Sequence, residues 1–277
     1  MVLNAPPVLD LQSHSTVSDG ELPPAAVVAG AARAGVTTLA LTDHDAVEGV
    51  PEAAEAAREE GIALVPATEI SCIHASIDDM HMLGYWVDIA AIAPACERAQ
   101  AERVTRAREI TQKLSSQGVE VRFEDAIAEA GGASSVGRPH IARAAGVKPE
   151  EMNAFFEEWL VPGAKGFVAR RWPTAPEAVE IIHEAGGAAV LAHPFWDMSE
   201  PAEVAALVDD LDLDGVEVFY PAHDRAQTEF LLGLCRDRGL AATGSSDFHG
   251  PSHKMFDAFL SYPTYDLGTP ELPRKPR

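Results

Sequence analysis

The regular alternation of short apolar runs with helical patterns is the feature that most limits how this 277-residue chain can fold. The run VLDLQSH is followed by AAVVAGAARAG, TTLALTDH, PEAAEAAREEG and ALVPATEIS. Prolines lie near the predicted helix starts, and glycines lie just past the predicted ends. After residue 174 the alternation resumes with APEAVEIIHEAGG, AAVLAHP, GVEVFYP, DRAQTEFLLGLCRDRG and LAATGSSDFH. This spacing predicts an α/β fold built on a parallel sheet or barrel.

A helical stretch interrupts the alternation after the strand-like segment HMLGYWV. Helical patterns cover about 93–117, 123–131 and 149–160, with no strand pattern between them. We predict a discontinuous main domain over 8–97 and 172–266, an inserted helical lid domain over 98–171, and a tail over 267–277. The proline-containing segment after Tyr265 is predicted to be an uncovered strap or disordered.

The charge of the chain limits its partners. With 43 acidic and 21 basic residues, its net charge of −22 opposes binding to long nucleic acids and anionic membranes. The stretch 98–171 nevertheless holds 12 of the basic and only 10 of the acidic residues. Ordinary solvated helix faces explain this asymmetry as well as a cationic lid does. If the lid binds a small anion, the candidate contacts are the RPH stretch at 138–140, Lys165, Arg170 and Arg171.

Targeting signals and disulfides are not indicated by the sequence. We find no signal-peptide pattern and no apolar run long enough for a membrane span, so we predict a cytoplasmic protein without a membrane partner. Cys72, Cys96 and Cys235 are odd in number, far apart and without a CxxC motif. This pattern favours three buried thiols over a disulfide framework or a zinc knuckle.

Imidazole and carboxylate groups recur where the predicted strands begin or end. They are His14, the run Asp43-His44-Asp45, Glu69, His81, His193, Asp247 and His249. The carboxyl ends of parallel barrel strands share one face, so residues remote in sequence converge there. One such histidine alone is more often a structural imidazole, but burying so many of these groups unpaired is costly. A metal cluster satisfies them together.

The donors in this set are nitrogen and oxygen atoms, which suit zinc, manganese or iron. A carboxylate such as Glu69 can bridge two cations. That arrangement generates a hydroxide nucleophile and clamps a phosphoryl oxygen. The sequence therefore predicts metal-dependent hydrolysis of a phosphate ester.

Six segments together resemble one family. DLQSHSTVSDG, LALTDHD, ATEIS, HMLGYW, AHP and GSSDFH, in this order, resemble the polymerase and histidinol phosphatase (PHP) family. The resemblance implies a distorted (β/α)7 barrel with an inserted small helical domain. The insert, with RPHIARAAG followed by VPGAKGFV, is similar to that of the small-insert subgroup that acts on nucleoside monophosphates, bisphosphates and short nucleotides.

The resemblance also implies two to three divalent metal ions. The first would be held by Gln12, His14, Glu69 and Asp247, the second by Glu69, His81 and His193, and the third by Asp19, His44 and His249. A hydroxide shared by the first two ions would attack phosphorus, and Asp19, Glu69 and His223 are assigned to catalysis. His223 would protonate the leaving oxygen or contact the substrate, although a surface or capping histidine fits its position equally well.

The insert of that subgroup supplies phosphate contacts, which implies Arg103 and Arg106, with Arg138, His140 and Lys165 as further substrate-binding residues. His74 lies close to His81 in sequence, but HASIDD has a loop pattern and HMLGYW matches the family, so His81 is the predicted ligand. His183 and His253 are predicted to be structural or solvent-exposed. The aromatic residues Trp172, Phe195 and Tyr220 lie near the predicted barrel mouth, where they stack on a base or simply pack.

Gln12 is the one departure from the family pattern, which has histidine there. A neutral amide oxygen is a poorer ligand than imidazole for zinc or manganese, so the first metal is expected to bind less tightly. We expect a phosphatase for a small nucleotide, either a nucleoside monophosphate, a 3′,5′-bisphosphate or a short oligonucleotide. Two alternatives stay open: a catalytically weakened nucleotide-binding protein, and a metal-dependent hydrolase of another bond on the same barrel.

Overall fold

The computed structural model describes residues 7–75, 77–132 and 135–275, which hold seven strands and nine α-helices. The strands are β1 (Leu9–Asp10), β2 (Thr38–Leu41), β3 (Ala63–His74), β4 (Ile77–Tyr85), β5 (Ala188–Leu191), β6 (Gly215–Phe219) and β7 (Ala241–Gly244). The α-helices are α1 (Pro24–Ala34), α2 (Val50–Glu60), α3 (Ile89–Ser116), α4 (Phe123–Glu129), α5 (Arg138–Ala144), α6 (Met152–Phe155), α7 (Ala175–Glu184), α8 (Pro201–Asp210) and α9 (Arg225–Arg238).

The seven strands lie side by side in chain order. The backbone N–H of Leu11 donates to Gly244 O at 3.2 Å, and Ser13 forms a parallel bridge with Phe248. These contacts bring the β1 end of the sheet beside the β7 end and nearly close the barrel. The prediction of a distorted (β/α)7 barrel is therefore confirmed.

The distortion lies at β4, which is antiparallel to both β3 and β5. The expectation that all strands run parallel is wrong here, because only two residues separate β3 from β4 and so short a connection joins antiparallel strands. The predicted HASIDD loop is also wrong for residues 77–79, which lie in β4. Ser76 falls outside the described residues.

Alternate strand residues pack on opposite faces of the barrel wall. The interior cluster is formed by Leu9, Leu11, Ala40, Val65, Ala67, Leu83, Tyr85, Val190 and Ala192. Leu39 and Leu41, the neighbours of Ala40 on β2, instead pack outward with α1 and α2. The alternation of side chains along each strand thus divides the apolar residues between the barrel core and an outer layer packed against the helices.

The chain's C-terminal segment packs against the barrel interior. Leu272 packs against the interior cluster, and Pro273 O accepts a hydrogen bond from Trp86 Nε1 at 2.9 Å. The backbone N–H of Glu271 donates to Ala242 O at 2.8 Å. The prediction of an uncovered or disordered tail is therefore wrong for residues 271–273. Pro276 and Arg277 lie outside the described residues.

The inserted segment has an apolar cluster of its own. Helix α3 contributes to this cluster and also to the outer core of the barrel. Ile92 and Cys96 on α3 pack in the barrel's outer core, whereas Ile110 and Leu114 pack in the insert. The predicted boundary at residue 98 falls inside this helix, and the domain boundaries stay predictions. Two of the three predicted insert helices correspond to α3 and α4, and 149–160 holds a 3₁₀ turn, α6 and a π turn. Helix α5 was not expected.

All three cysteines are buried free thiols, as the sequence predicted. Across 7–75, 77–132 and 135–275, we find no helix that combines the length and the apolar character needed to cross a membrane.

Candidate metal centre

The predicted ligands converge on one edge of the barrel. His14, His44, His193 and His249 follow their strands, as expected for side chains at the carboxyl ends of parallel strands. Glu69 and His81 lie inside β3 and β4 rather than at strand ends. Because β4 runs antiparallel, its first half lies at the same edge, and His81 pairs with Ser71 two residues beyond Glu69.

Glu69 is the centre of this cluster and is completely buried. Its Oε2 lies 3.1 Å from His14 Nε2 and 3.3 Å from His44 Nδ1. Its Oε1 lies 3.0 Å from His81 Nδ1 and 3.2 Å from His193 Nε2. One carboxylate therefore faces four imidazole rings from four different strand segments.

Two aspartates flank this centre. Asp247 Oδ1 lies 3.1 Å from His14 Nε2 and 3.6 Å from His249 Nδ1. Asp19 lies 3.7 Å from His249 Nε2, 3.8 Å from His14 Nδ1 and 3.9 Å from His44 Nε2. The last three separations are too long for hydrogen bonds but allow the groups to share a cation.

Three overlapping groups have donor atoms within 4.8 Å of one another. They are His14 with Asp19, His44 and His249; His44 with Glu69 and His81; and His14 with Glu69 and Asp247. Several of these buried atoms have no hydrogen bond to the described residues: both ring nitrogens of His14, Nδ1 of His44, Oε2 of Glu69 and Oδ1 of Asp247. Buried polar atoms normally have partners. The nitrogen and oxygen donors here fit divalent manganese, zinc or iron.

The electrostatics of the cluster favour positive charge. Burial raises the pKa of Asp19, but the rings of His44 and His249 outweigh burial and leave the pKa below its usual range. The pKa of Glu69 is likewise held well below its usual range by the surrounding imidazoles, against the effect of burial. Burial lowers the pKa of His193, but Glu69 outweighs burial and raises that pKa to about 9. The carboxylates therefore stay ionised and attract cations.

Gln12 is buried beside a hydrogen-bond network that reaches the cluster. Its Oε1 lies 3.4 Å from Ser245 Oγ, and the same hydroxyl donates to Glu217 Oε1 at 2.5 Å. Glu217 Oε2 accepts from the backbone N–H of His193 at 2.9 Å. Burial raises the pKa of Glu217 to about 8. Sequence reasoning missed Glu217, although an acidic residue within the apolar run GVEVF was an available signal.

A cleft of about 250 Å³ lies over the cluster, and four arginines line part of its wall: Arg103, Arg106, Arg138 and Arg170. Arg103 and Arg106 come from α3, and Arg138 begins α5. Arg138 is the most exposed of the four guanidinium groups. The first three were predicted substrate contacts, and Arg170 was a candidate anion contact from the charge of the insert. All four line the cleft together with candidate metal ligands.

Aspartates from the barrel hold these arginines. Arg103 Nε donates to Asp45, and Arg106 Nη2 donates to Asp78 Oδ2 at 2.7 Å. Asp79 accepts from Arg138, and its Oδ1 accepts from Arg170 Nη2 at 2.7 Å. Asp78 and Asp79 were missed because the predicted HASIDD loop hid their position on β4. Asp79 and His81 are two residues apart on this strand, so they share one face.

The other predicted substrate contacts lie off the cleft. His140 is buried, its Nδ1 accepts from Gly137 N at 2.9 Å, and it does not line the cleft. Lys165 is half exposed and pairs with Glu158 at 2.7 Å, also outside the lining. Arg171 pairs with Glu109 at 2.8 Å on the surface. The roles of His140 and Lys165 in substrate binding stay predictions.

His223 is also buried and does not line the cleft. Its Nδ1 lies 3.0 Å from Val218 O, and its ring packs near Tyr220 and Phe195. Burial lowers the pKa of His223 to about 4, so the ring is neutral at pH 7. Its assignment as a catalytic acid stays a prediction.

Two other histidines have structural contacts. His183 contacts Asp214 at 2.9 Å, and His253 accepts from Phe256 N at 3.1 Å. Of the aromatic residues predicted near the barrel mouth, Tyr220 lines the cleft, whereas Trp172 and Phe195 do not.

Comparison with known proteins points to one family. The model of the PHP domain matches residues 10–154. A 3′,5′-nucleoside bisphosphate phosphatase from Chromobacterium violaceum is 34% identical over 258 residues, which cover 88% of this chain and 87% of that protein. The 5′-3′ exoribonuclease Rnm of Salmonella typhimurium is 35% identical over 257 residues, or 88% of this chain and 86% of the relative. A solved structure from Bifidobacterium adolescentis, assigned as a metal-dependent phosphoesterase, has a TM-score of 0.79 at 29% identity and 91% coverage of both chains.

Proposed function

Because the chain belongs to the PHP domain family of metal-dependent phosphoesterases, we propose that it hydrolyses a phosphate monoester of a small nucleotide. The substrate is a nucleoside monophosphate, a 3′,5′-bisphosphate or a short oligonucleotide. The observation that carries this proposal is the position of Glu69 and its four imidazoles beneath a cleft lined by four arginines. One set of groups fits divalent cations, and the other fits phosphate oxygens.

The barrel residues would hold the ions. Glu69 lies between the donor groups and would contact more than one ion, while Asp247 and Asp19 complete the sets on either side. Bound divalent ions lower the pKa of water and neutralise charge on phosphoryl oxygens. Tyr220 donates its hydroxyl to Asp247 Oδ2 at 2.9 Å, which leaves the other oxygen of that carboxylate directed at His14.

The arginines would bind and orient the anionic substrate. Guanidinium groups bind phosphate through paired, charge-assisted hydrogen bonds. Arg138 reaches the cleft most openly, and Asp79 fixes its position beforehand. Because the arginines come from the insert, their arrangement supports the cationic interpretation of the lid. It also disfavours a hydrolase of uncharged amides, which would not use four guanidinium groups.

The exoribonuclease relative supports a second candidate substrate, a short RNA end. The scissile group would then be a phosphodiester, and the next phosphate along the strand would meet the arginines. The net charge of −22 repels a long strand, so we favour the small nucleotide.

A phosphate-release screen tests this proposal. Protein supplied with manganese is incubated with adenosine 5′-monophosphate, adenosine 3′,5′-bisphosphate and a short 5′-phosphorylated RNA, beside elemental analysis of the protein. We expect inorganic phosphate from the first two substrates. Nucleoside monophosphates released from RNA without inorganic phosphate would favour the exonuclease. Metal-loaded protein that acts on none of the three would contradict the proposal and favour the weakened binding protein that Gln12 suggests.

A further inference from the structure

A second part of the cleft wall is made of aromatic rings and differs from the part lined by arginines. Trp196, Tyr220 and Phe256 line it together, with ring centroids 5.8 to 6.3 Å apart. Tyr220 and Phe256 are 2% and 6% exposed, whereas Trp196 is 54% exposed. The buried pair therefore supports a tryptophan whose ring is open to the cleft.

This aromatic wall is tied to the candidate metal ligands on one side of the cluster. The ring of Trp196 lies 6.4 Å from that of His193, and Phe256 lies 5.6 Å from His249. The arginines, in contrast, adjoin His81 through Asp79 on β4. The cleft thus offers cationic groups beside one ligand and an apolar ring beside another, which matches a molecule with anionic and aromatic ends.

The other aromatic rings are less open to a ligand. Arg138 lies 5.7 Å from the ring centre of Phe156, and Arg98 lies 3.9 Å from that of Trp172. Phe195 packs against Phe230. Among the described cation–π contacts, none involves Trp196.

We propose that Trp196 is the platform on which the nucleobase of the substrate stacks while its phosphate lies at the metal ligands. The inference rests on the proposed function and adds where the base binds. Stacking uses the π-face that every base has, so Trp196 tolerates all four bases and favours the larger purines. It also explains the exposure of a large aromatic residue that the barrel core does not need.

The test compares substrates with and without a base. Adenosine 5′-monophosphate and ribose 5-phosphate are hydrolysed by wild-type, Trp196→Ala and Trp196→Phe proteins supplied with manganese. Because loss of a stacking ring costs a nucleic-acid complex much of its affinity, Trp196→Ala should lower kcat/KM about 10-fold or more for the nucleotide and less than about 2-fold for ribose 5-phosphate. Trp196→Phe keeps an aromatic face and should retain most of the activity. Trp172→Phe is the matched control, since Trp172 lies off the cleft.

Equal losses on the two substrates, or no loss on either, would overturn the stacking role. If wild-type protein hydrolyses neither compound, activity on adenosine 3′,5′-bisphosphate and short RNA decides the proposed function, and the base site is tested by binding. Adenosine 5′-monophosphate should quench tryptophan fluorescence in the wild type but not in Trp196→Phe, with ribose 5-phosphate inactive in both. Quenching that is the same in both proteins, or absent from both, would overturn the inference independently of catalysis.

Discussion

The barrel cluster and the arginine cluster bring carboxylates and cationic side chains together in different ways. Around Glu69, buried imidazole and carboxylate atoms face one another, and several have no hydrogen bond to any residue that the structure describes. In the lid wall, each arginine donates to an aspartate of the barrel. The donor atoms of the first cluster fit cations as partners. The arginines of the second cluster already have partners within the protein.

This difference shows how one cleft can select both an ion and an anion. Four arginines against Asp45, Asp78 and Asp79 leave an excess of one positive charge, so the lid wall attracts phosphate without strong attraction for long polyanions. The barrel cluster concentrates ionised carboxylates and attracts cations. Substitutions in the two clusters should therefore change different measured quantities.

The largest effect is expected from Glu69→Gln, which keeps the side-chain volume but removes the central charge. Metal ions supply several kcal/mol of transition-state stabilisation, so activity should fall roughly 1000-fold or more. Elemental analysis should show fewer bound ions, and a chelator should change the Tm less than it does in the wild type. Glu203→Gln, an exposed carboxylate on α8, is the control. Full metal content with lost activity would show that Glu69 is not needed for metal binding, which would contradict the role given to the barrel cluster.

Metal affinity should depend strongly on pH. The pKa of His193 is about 9, so below that pH its ring carries a proton that an incoming ion must displace. The apparent affinity for manganese should therefore fall as pH decreases from 9 to 7, by roughly tenfold per pH unit for each displaced proton. Calorimetric titration in buffers of different ionisation enthalpy counts the released protons. An affinity that stays constant across this range would contradict the charge assignment of the barrel cluster.

In the arginine cluster, Arg138→Met should act on the substrate rather than on the ions. Losing a charge-assisted hydrogen bond should lower kcat/KM for adenosine 3′,5′-bisphosphate about 10- to 50-fold, and less for adenosine 5′-monophosphate. Metal content should stay at the wild-type level. Arg143→Met, on the exposed end of α5, is the matched control. If Arg138→Met loses metal as well, the two clusters are coupled more closely than their separate contacts suggest.

The smallest effect is expected from Gln12→His, which introduces the histidine of the family pattern at this position. Imidazole binds zinc and manganese better than an amide, so metal affinity should rise by about tenfold and turnover should increase with it. Chelator competition measures the affinity, and phosphate release measures the turnover. Gln12→Asn, which keeps an amide, should give neither gain. If Gln12→His raises neither affinity nor turnover, Gln12 does not limit metal binding or activity in the wild-type protein.

The sequence predicted local features of this site better than long-range ones. His14, His44 and His249 follow their strands because the apolar run and the polar residue after it are visible within a few positions. The first residues of β4 have a loop-like pattern, and only their pairing with β3 and the pairing of β4 with β5, about a hundred residues later, make this segment a strand. The same limit concealed Asp78 and Asp79.

The aromatic wall shows the same limit. The sequence suggested Trp172, Phe195 and Tyr220 as stacking residues because they lie near predicted strand ends. Which ring stays open depends on what packs against it in three dimensions. Arg98 lies over Trp172, whereas Trp196 follows the same strand as His193 and stays exposed.

The position of residues 244–273 in the fold has a consequence for how the protein is made. Residues 244–273 carry Asp247 and His249, contact the segment that follows β1, and pack Leu272 against the barrel interior. A nascent chain still emerging from the ribosome can form α1, α2 and the first strands, but the segment after β1 lacks its last partner. We therefore expect metal to enter only after residues 244–273 have left the ribosome and can reach the segment after β1.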